Sequence, residues 1–235
     1  MNEPVDFSPY SGDVFRNFAT NSHDEVTNDL VDNPRDQQIL KRSFYKGEEG
    51  GIQSSAERVL RKSERQIVQT EISAKFNPKK WYPTRYSNGS WAVLYTAESE
   101  NTALKEAMYH VRQFSKEELQ IKPFIMIDRR VVQLTLNAGC CIDLTQIKNL
   151  ETDKLVSKDQ SGYSYCQNLA KKMIDKGSEL LRAPSARDPE GICVPVFNKT
   201  VIKKDHGPLK YIKCVLSKEG TRIFTEEKWI PLEPD

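Results

Sequence analysis

At 235 residues, with 37% hydrophobic and 29% charged side chains, the chain is long enough for one well-cored domain and has the composition of an ordinary, somewhat polar globular protein. No apolar run approaches the roughly 18 residues a membrane helix needs, and the opening MNEPVDFSPYSGD lacks the basic-then-apolar order of a secretory leader, so a cytoplasmic protein is expected. The net charge of +2 is unevenly held: residues 1–36 carry eight acidic side chains against Arg16 and Arg35, a net of −6, which leaves +8 on the remainder.

A mildly basic body suits a small anionic ligand, whose local concentration it raises. The basic residues are scattered, without the interleaved aromatics of a nucleic-acid surface, so no nucleic-acid partner is expected. The five cysteines show no CxxC spacing, and the three histidines do not join them in a ligand pattern; reduced, mostly buried thiols and no metal are expected.

In chain order, residues 1–36 read as an acidic N-terminal segment poor in large aliphatics, serving as an arm, a lid or a tail. Within it, Ser22 to Glu25 has the form of a capping box opening a short helix that Asn33-Pro34 would stop. The body is taken as residues 37–235. SFYKGEEGG reads as a loop, and Ile67 to Ile72 (IVQTEI) alternates as a strand does. That strand is ended by FNPKKWYPTRYSNGS with its prolines, asparagines and glycine.

Trp91 to Ala97 has the apolar character of a buried strand. Asn101 to Phe114 places Ala103, Ala107, Val111 and Phe114 on one side of an amphipathic helix. FIMIDRRVVQLTL (124–136) and GCCIDLT (139–145) follow as two strands, and then a polar helical region that ends in YCQNLAKKMIDKG, with Gly177 as its C′ residue. ELLRAPSA, CVPVFN, LKYIKCVLS and TRIF supply four more short strands. Strands dominate and βαβ alternation is not sustained, which predicts an α+β fold with a mixed or antiparallel β core and a few flanking helices.

The most informative stretch is RYSNGSWAVLYTAESENTALKEAMYH, residues 85–110, which sets Arg85, Tyr95, Glu106 and His110 around one strand-to-helix corner. A loop arginine makes paired hydrogen bonds to phosphate oxygens that lysine cannot copy. A tyrosine ring on a strand can stack on a cationic nicotinamide. A carboxylate at a helix edge stabilises the positive charge that builds on a sugar as an N-glycosidic bond breaks, and His110, four residues on, shares its face. Ser185, in LLRAPSAR, can hold a ligand or a catalytic side chain. Singly, each has a plainer structural reading: a surface arginine, a core tyrosine, an exposed helical pair and a turn serine. No partner set supports a Ser-His-Asp triad.

The arrangement resembles the RES domain family, named for its arginine, glutamate and serine. Its members carry an arginine-containing turn, a strand ending in LY-[TL]-A, a helix containing A-L-x-E and a later proline-serine element. These appear here in order as RYSNGSWAVLYTA, ENTALKEAMYH and RAPSAR, with the similarity extending over roughly residues 42–224. The chain departs from the pattern at Thr84-Arg85-Tyr86-Ser87, where many members have Gly-Arg-Trp-Asn. Arg42 is the candidate for a family arginine on the first strand, with Arg58 and Arg65 competing.

The resemblance implies an ADP-ribosyltransferase-like fold and an NAD+-consuming toxin, with NAD+ as substrate rather than cofactor. It implies that Arg85 and Arg42 bind the diphosphate and that Tyr95 stacks on nicotinamide or its ribose. Glu106 would stabilise the ribosyl cation, with Ser185 and His110 orienting it. The implied partner is an Xre-type antitoxin, and a homodimer stays open. NAD+ glycohydrolase activity is the leading expectation, with ADP-ribosylation of a target protein and a non-catalytic NAD-binding module as alternatives.

Overall fold

The computed structural model describes residues 6–19, 64–116, 118–224 and 229–232. Arg42, Arg58, the expected helix after Ser22 and the loop that begins at Ser43 lie outside them.

Among the described residues, ten strands form the framework: β1 (Ser8–Ala19), β2 (Pro83–Thr84), β3 (Ser87–Asn88), β4 (Leu94–Ala97), β5 (Phe124–Asp143), β6 (Leu180–Pro184), β7 (Ile192–Val196), β8 (Ile202–Ser217), β9 (Thr221–Phe224) and β10 (Trp229–Leu232). Apart from the small β2–β3 hairpin they make one sheet, in the order β1-β4-β7-β6-β5-β8-β9-β10. β5 also pairs with β1, from Ser8↔Cys141 to Ala19↔Arg129, so the first five strands of that order close into a ring. The 20-residue length of β5 permits this. One edge carries β8 along Phe124–Leu136 and β6 along Cys141–Asp143, while the other carries β1. Among the described residues only the β5–β6 pairing is parallel. The class is α+β, with few helices around a large mixed sheet.

The longer helices among the described residues pack on this framework: α1 (Glu64–Lys75), α2 (Glu100–Phe114) and α3 (Tyr163–Asp175). α1 corrects the strand expected at Ile67–Ile72. Val68 and Ile72 are both buried and stand four apart, which is the helical repeat, and they join Val14, Phe18, Leu94 and Leu134 in one core cluster. α2 starts where Ser99 caps it, accepting from the Thr102 N–H at 3.0 Å. It packs Leu104, Met108 and Val111 against Val131, Ile212, Cys214 and Leu216 of β5 and β8. α3 covers the β5–β6 crossover with Cys166, Leu169, Ala170 and Met173, and ends at Gly177 with φ of 99°.

Two further expectations are revised. The stretches 124–136 and 139–145 are not separate strands: the chain runs extended through Asn137-Ala138-Gly139, whose backbone pairs with β1 and whose Gly139 N–H donates to Glu179 Oε2 at 2.9 Å. Within the acidic N-terminal segment, residues 8–19 are a strand of the main sheet, and Val14 and Phe18 are core residues. No helix among the described residues is long and apolar enough to cross a membrane.

Candidate active site

A cavity of about 160 Å3 opens between β1, β4, α2, the segment 80–91 and the turn after β6. Arg85, Tyr95, Glu106 and His110 line it together, and Ser185 stands directly behind Glu106.

The helical repeat puts Ala103, Glu106, Ala107, His110 and Val111 of α2 on the cavity side, the alanines leaving room beside the carboxylate. Glu106 Oε1 accepts from Ser185 Oγ at 2.5 Å, from the Ala186 N–H at 3.0 Å and from Cys193 Sγ at 3.5 Å. Burial, then the nearby carboxylate, pushes the Cys193 thiol well above its ordinary pKa, so it stays a donor. Oε2 accepts no hydrogen bond from the described residues. The carboxylate is thus fixed through one oxygen and offers the other.

Ser185, 4% exposed, is itself held by the turn: its Oγ accepts from the Arg187 and Asp188 N–H groups at 3.1 and 3.0 Å, and its N–H donates to Gly191 O. With both its lone pairs taken, the hydroxyl must give its hydrogen to Glu106. Asp188 ties the turn to α2 by accepting from Thr102 Oγ1 at 2.7 Å and pairing with Lys105 at 3.2 Å.

Tyr95 points from β4 into the cavity by the period-two alternation of a strand. Its hydroxyl accepts from the Tyr86 N–H at 2.9 Å and donates to Thr84 Oγ1 at 2.8 Å, which pins the ring against the β2–β3 hairpin. Burial raises its pKa far above the ordinary tyrosine range, so it remains a neutral phenol. Trp91 Nε1 donates to Tyr86 O at 2.8 Å and draws the aromatic loop inward.

Arg85 reaches the cavity with much of its guanidinium already engaged. Nη1 donates to Leu155 O at 2.9 Å and Ser157 Oγ at 3.2 Å, and Nη2 to Ser157 O at 2.6 Å, with the Tyr163 ring 5.0 Å away. It fastens the turn after the one-turn helix Thr152–Leu155 and also meets the Cys166 side chain, so most of its donors serve the fold. His110 is an exposed lining residue, edge-on to Tyr109 at 5.4 Å.

The sequence reading did not place Arg16, Asn17, Arg129 or Arg187 in the wall, yet all four line it. Arg16 donates to Tyr95 O at 3.0 Å and pairs with Glu71 at 3.1 Å, while Arg129 Nε donates to Asn17 Oδ1 at 2.6 Å. Arg187 stands two residues from Ser185 in RAPSAR, a proximity that does not by itself separate it from any other loop arginine. Among the described residues, the charged lining side chains are Arg16, Lys75, Lys80, Arg85, Arg129 and Arg187 against the one carboxylate of Glu106. Such a wall attracts an anion and sets one negative charge inside the field. No group of three or more His, Cys, Asp or Glu side chains able to hold a metal occurs among the described residues.

The family model described as the RES domain matches residues 56–212. The solved M.tuberculosis MbcT-MbcA toxin-antitoxin complex contains a chain similar in structure, with a TM-score of 0.39 and 16% sequence identity, over 57% of this chain and 72% of that one. No curated relative matches. With two-thirds of its length covered by the family model, the chain belongs to the RES domain family.

Proposed function

We propose that the protein is an NAD+ glycohydrolase that cleaves the bond between nicotinamide and ribose, acting as a cytoplasmic toxin that depletes NAD+. The observation that carries this is the Glu106 carboxylate, fixed through Oε1 by Ser185 and Ala186 and open at Oε2, in a wall otherwise cationic. Cationic residues favour the dinucleotide diphosphate, and the Tyr95 ring offers a flat surface for nicotinamide.

Nicotinamide leaves with the bonding electron pair as a neutral base, and positive charge develops at C1′ and the ring oxygen. A fixed carboxylate interacts more strongly with that charge than with the ground state, which lowers the barrier. Water then adds at C1′ and loses a proton, giving ADP-ribose, nicotinamide and H+. An Xre-type antitoxin that covers the site is the restraint the family resemblance implies.

The test is to incubate the protein with NAD+ and resolve the products, alongside Glu106→Gln. Glutamine keeps an oxygen for Ser185 and Ala186 and removes the charge. Turnover should fall about 10²–10³-fold, as for loss of one preorganised electrostatic group, with NAD+ affinity within about tenfold of wild type. Nicotinamide and free ADP-ribose in equal amounts would support hydrolysis, whereas ADP-ribose attached to added protein would make the chain a transferase. NAD+ left intact by wild type would end the enzyme reading.

A further inference from the structure

Arg187 is 6% exposed and lines the cavity. Its Nη2 donates to Lys158 O at 2.7 Å, and its guanidinium carbon lies 3.3 Å from the centroid of the Tyr109 ring. Tyr109 is anchored to the same carbonyl, its hydroxyl donating to Lys158 O at 2.6 Å. The guanidinium is therefore stacked on one face and held at one corner. Nε and Nη1 are buried without a hydrogen-bond partner.

Unmet buried donors are costly, and those on a charged group more so. With one Nη2 hydrogen given to Lys158, the edge away from that bond keeps two N–H donors side by side, the spacing that fits two oxygens of one phosphate. Arg85 is the converse case, with three hydrogens already given to Leu155 and Ser157. The unpartnered donors are not confined to Arg187: Tyr86 Oη, Trp81 Nε1 and Asn17 Nδ2, all from lining residues, lack partners too. All of these groups can donate, which matches a ligand rich in acceptor oxygens.

We infer that Arg187 is the principal phosphate-gripping residue of the cavity, receiving the diphosphate of the dinucleotide beside the Ser185–Glu106 clamp. The substrate's identity rests on the proposed function; the assignment of an anion grip to Arg187 does not. The backbone supports the placement. The Arg187 N–H donates to Ser185 Oγ, so the residue that fixes the carboxylate and the residue that grips the anion are set by one turn. Binding a phosphate at Arg187 would hold that turn against Glu106.

The experiment is calorimetric titration of wild type and Arg187→Lys with inorganic pyrophosphate and with ADP-ribose. Lysine retains the charge and loses the two-point contact. Both affinities should fall about tenfold or more in Arg187→Lys, as loss of a paired charge-assisted contact requires, with the melting temperature nearly unchanged. Wild-type affinity for pyrophosphate in Arg187→Lys would overturn the assignment, as would a wild-type protein that binds neither ligand.

Because the variant can lose its fold, the wild type supplies a second test. The assigned Arg187 Nε–H resonance should shift on titration with pyrophosphate, and a resonance that stays put overturns the assignment. Pyrophosphate binding through Arg187 together with intact NAD+ would preserve the anion grip and remove the glycohydrolase reading. NAD+ cleavage with no change in KM for Arg187→Lys would do the reverse.

Discussion

Glu106 and Ser185 are 79 residues apart in sequence and 2.5 Å apart in space, and that contact fixes the carboxylate within the cationic wall. Ser185→Ala removes the donor to Oε1 and the acceptor of two backbone N–H groups. It should cost about 1–3 kcal/mol, because buried N–H groups lose their partner, and should lower kcat more than it raises KM. A variant with normal kcat and a lowered melting temperature would make the hydroxyl purely architectural. The glutamate, the tyrosine and the serine were legible in sequence because each sits in a short local motif. Arg187 was not, although it follows Ser185 by two positions. What distinguishes it from Arg85 is which hydrogen bonds are already made, and only three-dimensional neighbours decide that. The cysteines carry a further residue-scale prediction. Burial pushes the thiol pKa of Cys141 up to about 11 and of Cys214 to about 12, and raises those of Cys166 and Cys193, whereas Cys140 is half-buried. Iodoacetamide at pH 8 should add one group to the native protein, at Cys140, and five after denaturation. Fast labelling of Cys193 would show that the wall behind Glu106 opens.

At the scale of elements, the turn that carries Ser185 is docked on α2 with no room to spare. A Cβ at Gly191 would lie 2.5 Å from Thr102 Oγ1, 2.7 Å from Thr102 Cγ2 and 2.8 Å from Asp188 Cβ. Gly191→Ala must therefore push the turn from the helix, at a cost of about 1–3 kcal/mol as for overpacking elsewhere. The Thr102→Ala background removes the two closest atoms, so the same substitution should cost less there. Equal costs in both backgrounds, measured by denaturant melts, would locate the strain elsewhere. α2 was predicted to within a residue because its alanines and aliphatics recur at the helical period. α1 was misread because IVQTEI satisfies two periods at once. Its β-branched residues favour a strand, while the burial of Val68 and Ile72, four apart, selects the helix. That choice is made by the core the segment packs into, which no six-residue window contains.

For the whole molecule, the closing strand comes from the segment whose composition least suggested it. β1 holds Arg16 buried between Val14 and Phe18 on one face and Asn17 buried on the other, so neither face is a run of aliphatics. Those polar groups are accommodated by partners distant in sequence: Arg16 by Tyr95 O and Glu71, Asn17 by Arg129. The alternation that betrays a strand was masked by residues that serve the cavity wall. If β1 belongs to the catalytic unit, deleting residues 1–19 should abolish a folded protein rather than trim a tail. Val14 and Phe18 together account for roughly 3–6 kcal/mol of burial, against a total stability of about 5–15 kcal/mol for a typical domain. The deletion also strips the β5 edge from Arg129 to Cys141 of its partner, and an exposed edge of that length pairs with other chains. Soluble yield should collapse, and any soluble fraction should lack a cooperative melt and pyrophosphate binding. A truncated chain that melts cooperatively and still binds pyrophosphate would mean that the ring closes without β1. The first residues would then be a detachable cover on the site.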